Sequence, residues 1–400
     1  MCTLVCLSCD TFTGASPNDA GSDAPAVDGA PQEAGVPDAA TVCEPEPLWS
    51  NQPGGPTQAT CSTGLQDLRT TPEHCGRCER ACGGKSPSCV AGYCVVPKVV
   101  DADIPLAVDD TTLWYGDSAS GNVSRVGWRD GSGTQTVTDP SSGPVLAGHR
   151  LAQYVFVRTE RGLFRFDTTA PPSSFGASLI SGLDNGMRRR VAALEASTVY
   201  ALDSGGHIVG SSATAPAGVR DAWELAASGS RLFWAPAAWR APTTPTERGV
   251  SITVWDSLSN ARHIEHTSTI GAIHSLGADA EYIYWMDVDP DSQGVFRHRI
   301  GSDAGALEKV ATTRHVSDVQ GYVAYDLRQQ MLLLDETYAY YWELATVDTF
   351  SQPHFRLSKV KKCGGNAVPL VEDCANLGRW TIGAKVIAYA CNREIRVVAK

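Results

Sequence analysis

HSLGADAEYIYW at residues 274–285, followed by GVFRHRI at 294–300 and LEKVAT at 307–312, decides how the chain is read. An apolar run, a polar turn and a second run rich in aromatic residues make a β-hairpin, and the stretches after it alternate apolar and polar residues as strands do. The same hairpin phrase recurs as IPLAVDDTTLWY (104–115), VLAGHRLAQYVF (145–156), VAALEASTVY (191–200), ELAASGSRLFW (224–234), MLLLDETYAYYW (331–342) and WTIGAKVIAY (380–389). Third strands follow as GNVSRVGW (121–128), RGLFRFD (161–167), GHIVGS (206–211), GVSITVW (249–255), PHFRLSKV (353–360) and REIRVVA (393–399). Fourth strands are legible as TQTVTD (134–139), ASLISG (177–182) and RHIEHT (262–267).

The closing aromatics Tyr115, Phe156, Tyr200, Trp234, Trp285, Trp342 and Tyr389 are spaced by about 46 residues, the length of one four-stranded propeller blade. With no helical periodicity in this stretch, an all-β ring is favoured over a helical solenoid. The fold expected over 99–400 is therefore a seven-bladed β-propeller. Six blades are the alternative if the weak unit at 190–215 is irregular. The ring is preceded by a small disulfide-rich module at 43–98, a linker at 10–42 and a short leader at 1–9.

The module holds Cys43, Cys61, Cys75, Cys78, Cys82, Cys89 and Cys94 among Gly and Pro, with few core-forming residues, so disulfides are expected to stand in for a core. The competing reading is zinc, because Cys75 and Cys78 have C-x2-C spacing beside His74. The linker is Ala, Gly, Pro, Asp and Ser with almost no large apolar residue, and ordering it costs backbone entropy that no burial returns. MCTLVCLSC at 1–9 has a short apolar stretch and reads as the truncated end of an export signal, with Leu7-Ser8-Cys9 similar to a bacterial lipobox. Lipidation of Cys9 is the expectation that follows.

The phrasing I-A-V-D, Y-W and G-x-V-x-R-V resembles a family of secreted, tandem-blade bacterial propellers, and HCGRCERACGGKSPSCVAGYC at 74–94 resembles a Cys-rich motif of secreted Gram-negative proteins. Together with the acidic spacer these resemblances imply an extracytoplasmic protein, either an outer-membrane or cell-surface lipoprotein or a secreted one. They leave function open, since propellers host enzymes and binders alike.

The formal charge of -11 is uneven: nine acids and no Lys or Arg precede Arg69, while the remaining 332 residues hold 35 acids and 33 bases. A near-neutral body excludes nucleic acid as the expected partner and leaves contact with a membrane to a lipid anchor alone. No apolar run is long enough to span a bilayer as a helix.

Local motifs for chemistry are scarce. Asp287, Asp289 and Asp291 have D-x-D-x-D spacing, which suits calcium, but His298 stands where an EF-hand places its bidentate Glu and Gly294 falls two places late. Calcium is the sole cofactor this suggests, against a plain solvated loop. His263 and His266 are expected to point to opposite faces of a strand. The pairs Gly205-Gly206 and Gly364-Gly365 read as turns. Trp239 and Arg240, in a Pro-rich insertion outside the repeat register, form the candidate contact loop.

The expected function is a monomeric, non-enzymatic surface or secreted propeller that binds a protein or glycan. The alternative is a propeller enzyme of lyase or lactonase type, with a metal or acid–base site at the channel mouth. Two expectations concern the ring's ends. Residues 92–100 should pair with 393–399 to close it. Cysteine parity requires at least one bridge from the module to the ring. Cys374 and Cys391 fall at one face of the seventh unit and should pair, leaving Cys363 for the module.

Overall fold

The computed structural model describes residues 43–400 apart from 45, 83–87, 96–97, 119, 138–142, 170–174, 182, 184–189, 195–197, 213–214, 237–249, 269–272, 288–292, 303–306, 314–330, 348–352 and 376. Cys43–Lys400 form one compact unit. Seven antiparallel sheets follow one another along the chain, each a meander, and the first strands of blades 7, 1, 2, 3, 4, 5 and 6 pack on one another in that order. This is the seven-bladed ring. Among the described residues the one helical element is a 3₁₀ turn at Pro72–His74, and no helix is long and apolar enough to cross a membrane.

The hairpins form where the sequence supplies a turn residue and two apolar runs. Asp109, Asp279 and Asp335 each accept two backbone N–H bonds through Oδ1, from Thr111 and Thr112, Glu281 and Tyr282, and Thr337 and Tyr338. A side chain that mimics the turn's own carbonyl fixes the reversal in blades 1, 5 and 6. Phe156, Tyr200, Trp234, Trp285, Trp342 and Tyr389 are buried in the blade cores, whereas in blade 1 Trp114 is buried and Tyr115 half-buried. Small residues let the first strands approach closely: a Cβ at Gly148 would lie 2.5 Å from Leu106 Cδ2, and one at Gly277 2.9 Å from Leu334 Cδ1. An alanine at Gly148 would also come 3.1 Å from Leu106 Cα, whereas one at Gly277 meets the Leu334 side chain alone, which must turn aside.

Blades 2, 4, 5 and 6 have four full strands, blade 1 has a fourth strand of only Gln135–Thr136, and blade 3 has three described strands. The fourth strand of blade 6, Val368–Cys374, follows a turn through Gly364 and Gly365, both at positive φ. Closure is narrower than the sequence indicates. Val99 N–H donates to Ile395 O (2.8 Å) and Ile395 N–H donates to Val100 O (3.0 Å), a single bridge on the third strand of blade 7. Tyr93–Val95 pair instead with Ser88–Val90 inside the module, because the Cys82–Cys94 disulfide holds them there.

Among the described residues there are five disulfides: Cys61–Cys78, Cys75–Cys89 and Cys82–Cys94 within the module, Cys43–Cys363 from module to ring, and Cys374–Cys391, the expected pair, which joins the fourth strand of blade 6 to the second strand of blade 7 and so lies across two blades instead of within the seventh unit. Their number points to an oxidising, extracytoplasmic environment. The zinc reading fails, since Cys75 and Cys78 are bonded elsewhere and both His74 ring nitrogens are taken, by Thr63 Oγ1 (2.8 Å) and Glu79 N–H (3.1 Å).

The module lies on blade 6. Asn51 Nδ2 and Gln52 Nε2 donate to Pro369 O (3.0 Å) and Ala367 O (2.8 Å), and Lys361 Nζ donates to Glu44 O (2.7 Å). Cys43–Cys363 closes a loop of 320 residues, so the unfolded chain loses much freedom through it. The double variant Cys43→Ser/Cys363→Ser should unfold in urea with about 2–4 kcal/mol less stability. An unchanged denaturation curve would show that the staple adds nothing.

Candidate functional site

Where the ring's channel is described, the side chains that line it are aliphatic apart from one imidazole. A cavity of about 150 Å³ is walled by Val191, Ala192, Leu225, Ala226, Leu276, Leu333 and neighbouring residues of the first strands, with His149 as its titratable side chain. Burial pushes the His149 imidazole down to about 4, so it is uncharged at neutral pH and too weak a base to accept a proton there.

Where the first strands of blades 3, 4 and 5 begin, three polar residues meet. Arg190 grips Glu224 with Nε and a terminal nitrogen, both at 2.8 Å, and His274 Nδ1 lies 4.0 Å from the same carboxylate. All three are buried. With both Glu224 oxygens engaged, the cluster ties three blades together and offers no solvent-facing acid or base.

A charged concavity lies elsewhere, between the module and the seam where blade 7 meets blade 1. It measures about 550 Å³. Arg77, Glu79 and Arg80 come from the module, Trp128 and Arg129 from the end of blade 1's third strand, and Lys385, Val386, Ala399 and Lys400 from blade 7. The module is fixed on blade 6, beside this cleft, through Trp49. Its indole, 1% exposed, carries Arg77 at 4.7 Å, Arg80 at 4.8 Å and Lys359 at 4.7 Å from the ring centroid. Three cations around one ring repel each other, and Glu46 offsets that repulsion. Its carboxylate accepts from Tyr338 Oη–H (2.8 Å), Arg77 (3.3 Å) and Trp49 Nε1–H (3.3 Å), and lies 3.8 Å from Lys359 Nζ.

The cations of the cleft differ in how far they are neutralised. Lys385 pairs with Asp110 and Lys400 with Asp335. Arg129 is exposed, stacked 4.8 Å over Trp128, and among the described residues no carboxylate pairs with it. Arg80 is 3% exposed and donates to Cys75 O (3.2 Å), while its Nε has no acceptor among the described residues. Burial, with a smaller contribution from Arg77, lowers its guanidinium to about 9. It is still charged at neutral pH.

Cys9, Asp289, Asp291, Trp239 and Arg240 lie outside the described residues. Asp287, the described member of the acidic trio, ends the second strand of blade 5, buried and in register with Gly294. Trp255 is a core residue of blade 4, edge-on to Tyr200 at 5.9 Å. His263 and His266 correct the expectation of opposite faces: a β-bulge at Glu265 sets them opposite Val254 and Ile252, on one face. Among the described residues the three-ligand grouping of metal-binding type is Cys75, Cys82 and Cys94, whose sulfurs belong to disulfides.

No known protein family matches the chain, and no curated protein matches it. Among solved structures, a Mycobacterium tuberculosis puromycin-hydrolyzing peptidase is 14% identical with a TM-score of 0.47, covering 72% of this chain and 48% of that one. This chain thus spans about half that structure's length. The computationally designed Ika8 protein (11% identity, TM-score 0.48) and a virginiamycin B lyase from Staphylococcus aureus (10%, 0.40) each match over 75% of this chain, and over 97% and 96% of their own. At these identities the likeness carries no functional information.

Proposed function

We propose that this chain is an exported, non-enzymatic binding propeller, anchored at the cell surface through Cys9 or secreted, whose protein or glycan partner sits between the Cys-rich module and the ring's seam. The supporting observation is the 550 Å³ cleft, which presents Arg77, Arg129 and Lys385 to one space while the described channel wall presents hydrocarbon and a neutral imidazole. A volume of that order is typical of ligand sites. The lyase or lactonase alternative needs acid, base or metal-ligand groups facing solvent at the channel, and Glu224, His274 and Arg190 are buried against one another.

A glycan array and an extracellular-protein panel, probed with the full chain, should yield saturable binding that Arg129→Ala/Lys385→Ala weakens without changing the circular dichroism. Binding indifferent to that pair, or turnover of lactone or lyase substrates at the channel, would overturn the reading. Mass spectrometry of the native N-terminus decides between the anchored and the secreted form.

A further inference from the structure

We infer that the cleft takes an acidic polysaccharide segment whose carboxylate or sulfate groups lie against Arg77 and Arg129; this rests on the binding reading above. Three guanidiniums from the module and blade 1 converge there, and the planar fork of arginine matches two-oxygen anions. Arg80 supplies an independent observation. It is a buried cation behind the cleft wall with no carboxylate partner among the described residues, held by Cys75 O (3.2 Å) and Leu370 O (3.5 Å), so its uncompensated positive charge adds to the field that Arg77 and Arg129 present to the cleft.

The lining also says what the ligand lacks. Trp128, Val386 and Cys82 are buried, and the exposed large apolar residues Leu48, Leu65, Val90, Leu258, Ile264 and Leu307 all lie outside the cleft. A protein partner anchors through apolar and aromatic side chains set into pockets, and none is offered. Single-stranded nucleic acid stacks on exposed aromatic rings, which are also missing from the lining. A charged, oxygen-rich polymer suits what remains, its sugar-ring carbons lying on the carbon stems of the cleft's Arg and Lys side chains.

The test uses calorimetry on the full chain with four probes: an oligogalacturonate, a sulfated oligosaccharide, a neutral maltooligosaccharide and an oligoglutamate peptide. One or both acidic sugars should bind, more weakly at high salt as the exposed charges are screened. Which of them binds identifies carboxylate or sulfate as the anion. Arg129→Ala should weaken that binding by roughly tenfold or more; Arg129 is exposed, so this variant keeps the fold even where Arg80→Gln does not. Equal affinity for the neutral sugar, oligoglutamate binding as tightly as the acidic sugars, or no binding by either acidic sugar would each overturn the inference. A neutral sugar or peptide that Arg129→Ala/Lys385→Ala displaces would sink the ligand class and leave the cleft standing as a binding site.

Discussion

Glu46→Ala should destabilise the protein by about 3–5 kcal/mol, the cost of leaving a buried cation without its counter-charge. Glu46 faces Lys359, Arg77 and the indole of Trp49 together, with Asp335 a weaker counter-charge to Lys359, and Lys359 is 2% exposed. Burial, aided by Arg77, lowers the Lys359 ammonium to about 7. Since the unfolded chain keeps that proton up to about pH 10.4, it binds more protons than the folded chain between the two values. Stability from this group therefore rises as pH climbs from about 7 to about 10.4. Glu46 raises the Lys359 value, so its removal lowers it further, and the deficit of Glu46→Ala should be larger at about pH 6 than at about pH 9. Urea denaturation at both pH values checks this; a pH-independent deficit would show that Glu46 acts through packing alone.

Glu224→Ala should cost a similar 3–5 kcal/mol, because it strands Arg190 inside the ring. The pair is 7% and 1% exposed at the side chains, so solvent cannot replace the lost partner. Replacing both residues by methionine should recover most of the loss, since apolar isosteres often match a buried ion pair. A thermodynamic cycle over the two single variants and the double variant measures the coupling. A Glu224→Ala variant as stable as the parent would mean that the ion pair does not tie the blades together.

The ring was legible because each blade carries its instruction locally. An Asp at the hairpin turn, apolar runs on either side and an aromatic that fills the core are all within 12 residues of one another in HSLGADAEYIYW and MLLLDETYAYYW. Cysteine parity likewise demanded a bridge between module and ring, and Cys43–Cys363 is one. The fourth strand of blade 6 is expected after the turn at Cys363, but its extent is not legible, because VPLVEDC breaks the alternation where the module covers it. The reach of the closure was overread, since a disulfide outside the local pattern holds Cys94. The Arg190–Glu224–His274 cluster did leave a signal, as each residue stands at the start of an apolar run in consecutive repeats. The cleft left none. Arg80, Arg129 and Lys385 are hundreds of residues apart in part, and only the docking of the module on the ring gathers them.

The most direct test of a ligand seated between module and seam is amide hydrogen exchange on the full chain, with and without the tightest binder from the array. Slowed exchange is predicted at residues 77–82, 128–129, 385–386 and 399–400, the segments that line the cleft. Slowed exchange around His149 and Leu276 at the channel, with those four segments unchanged, would contradict the account.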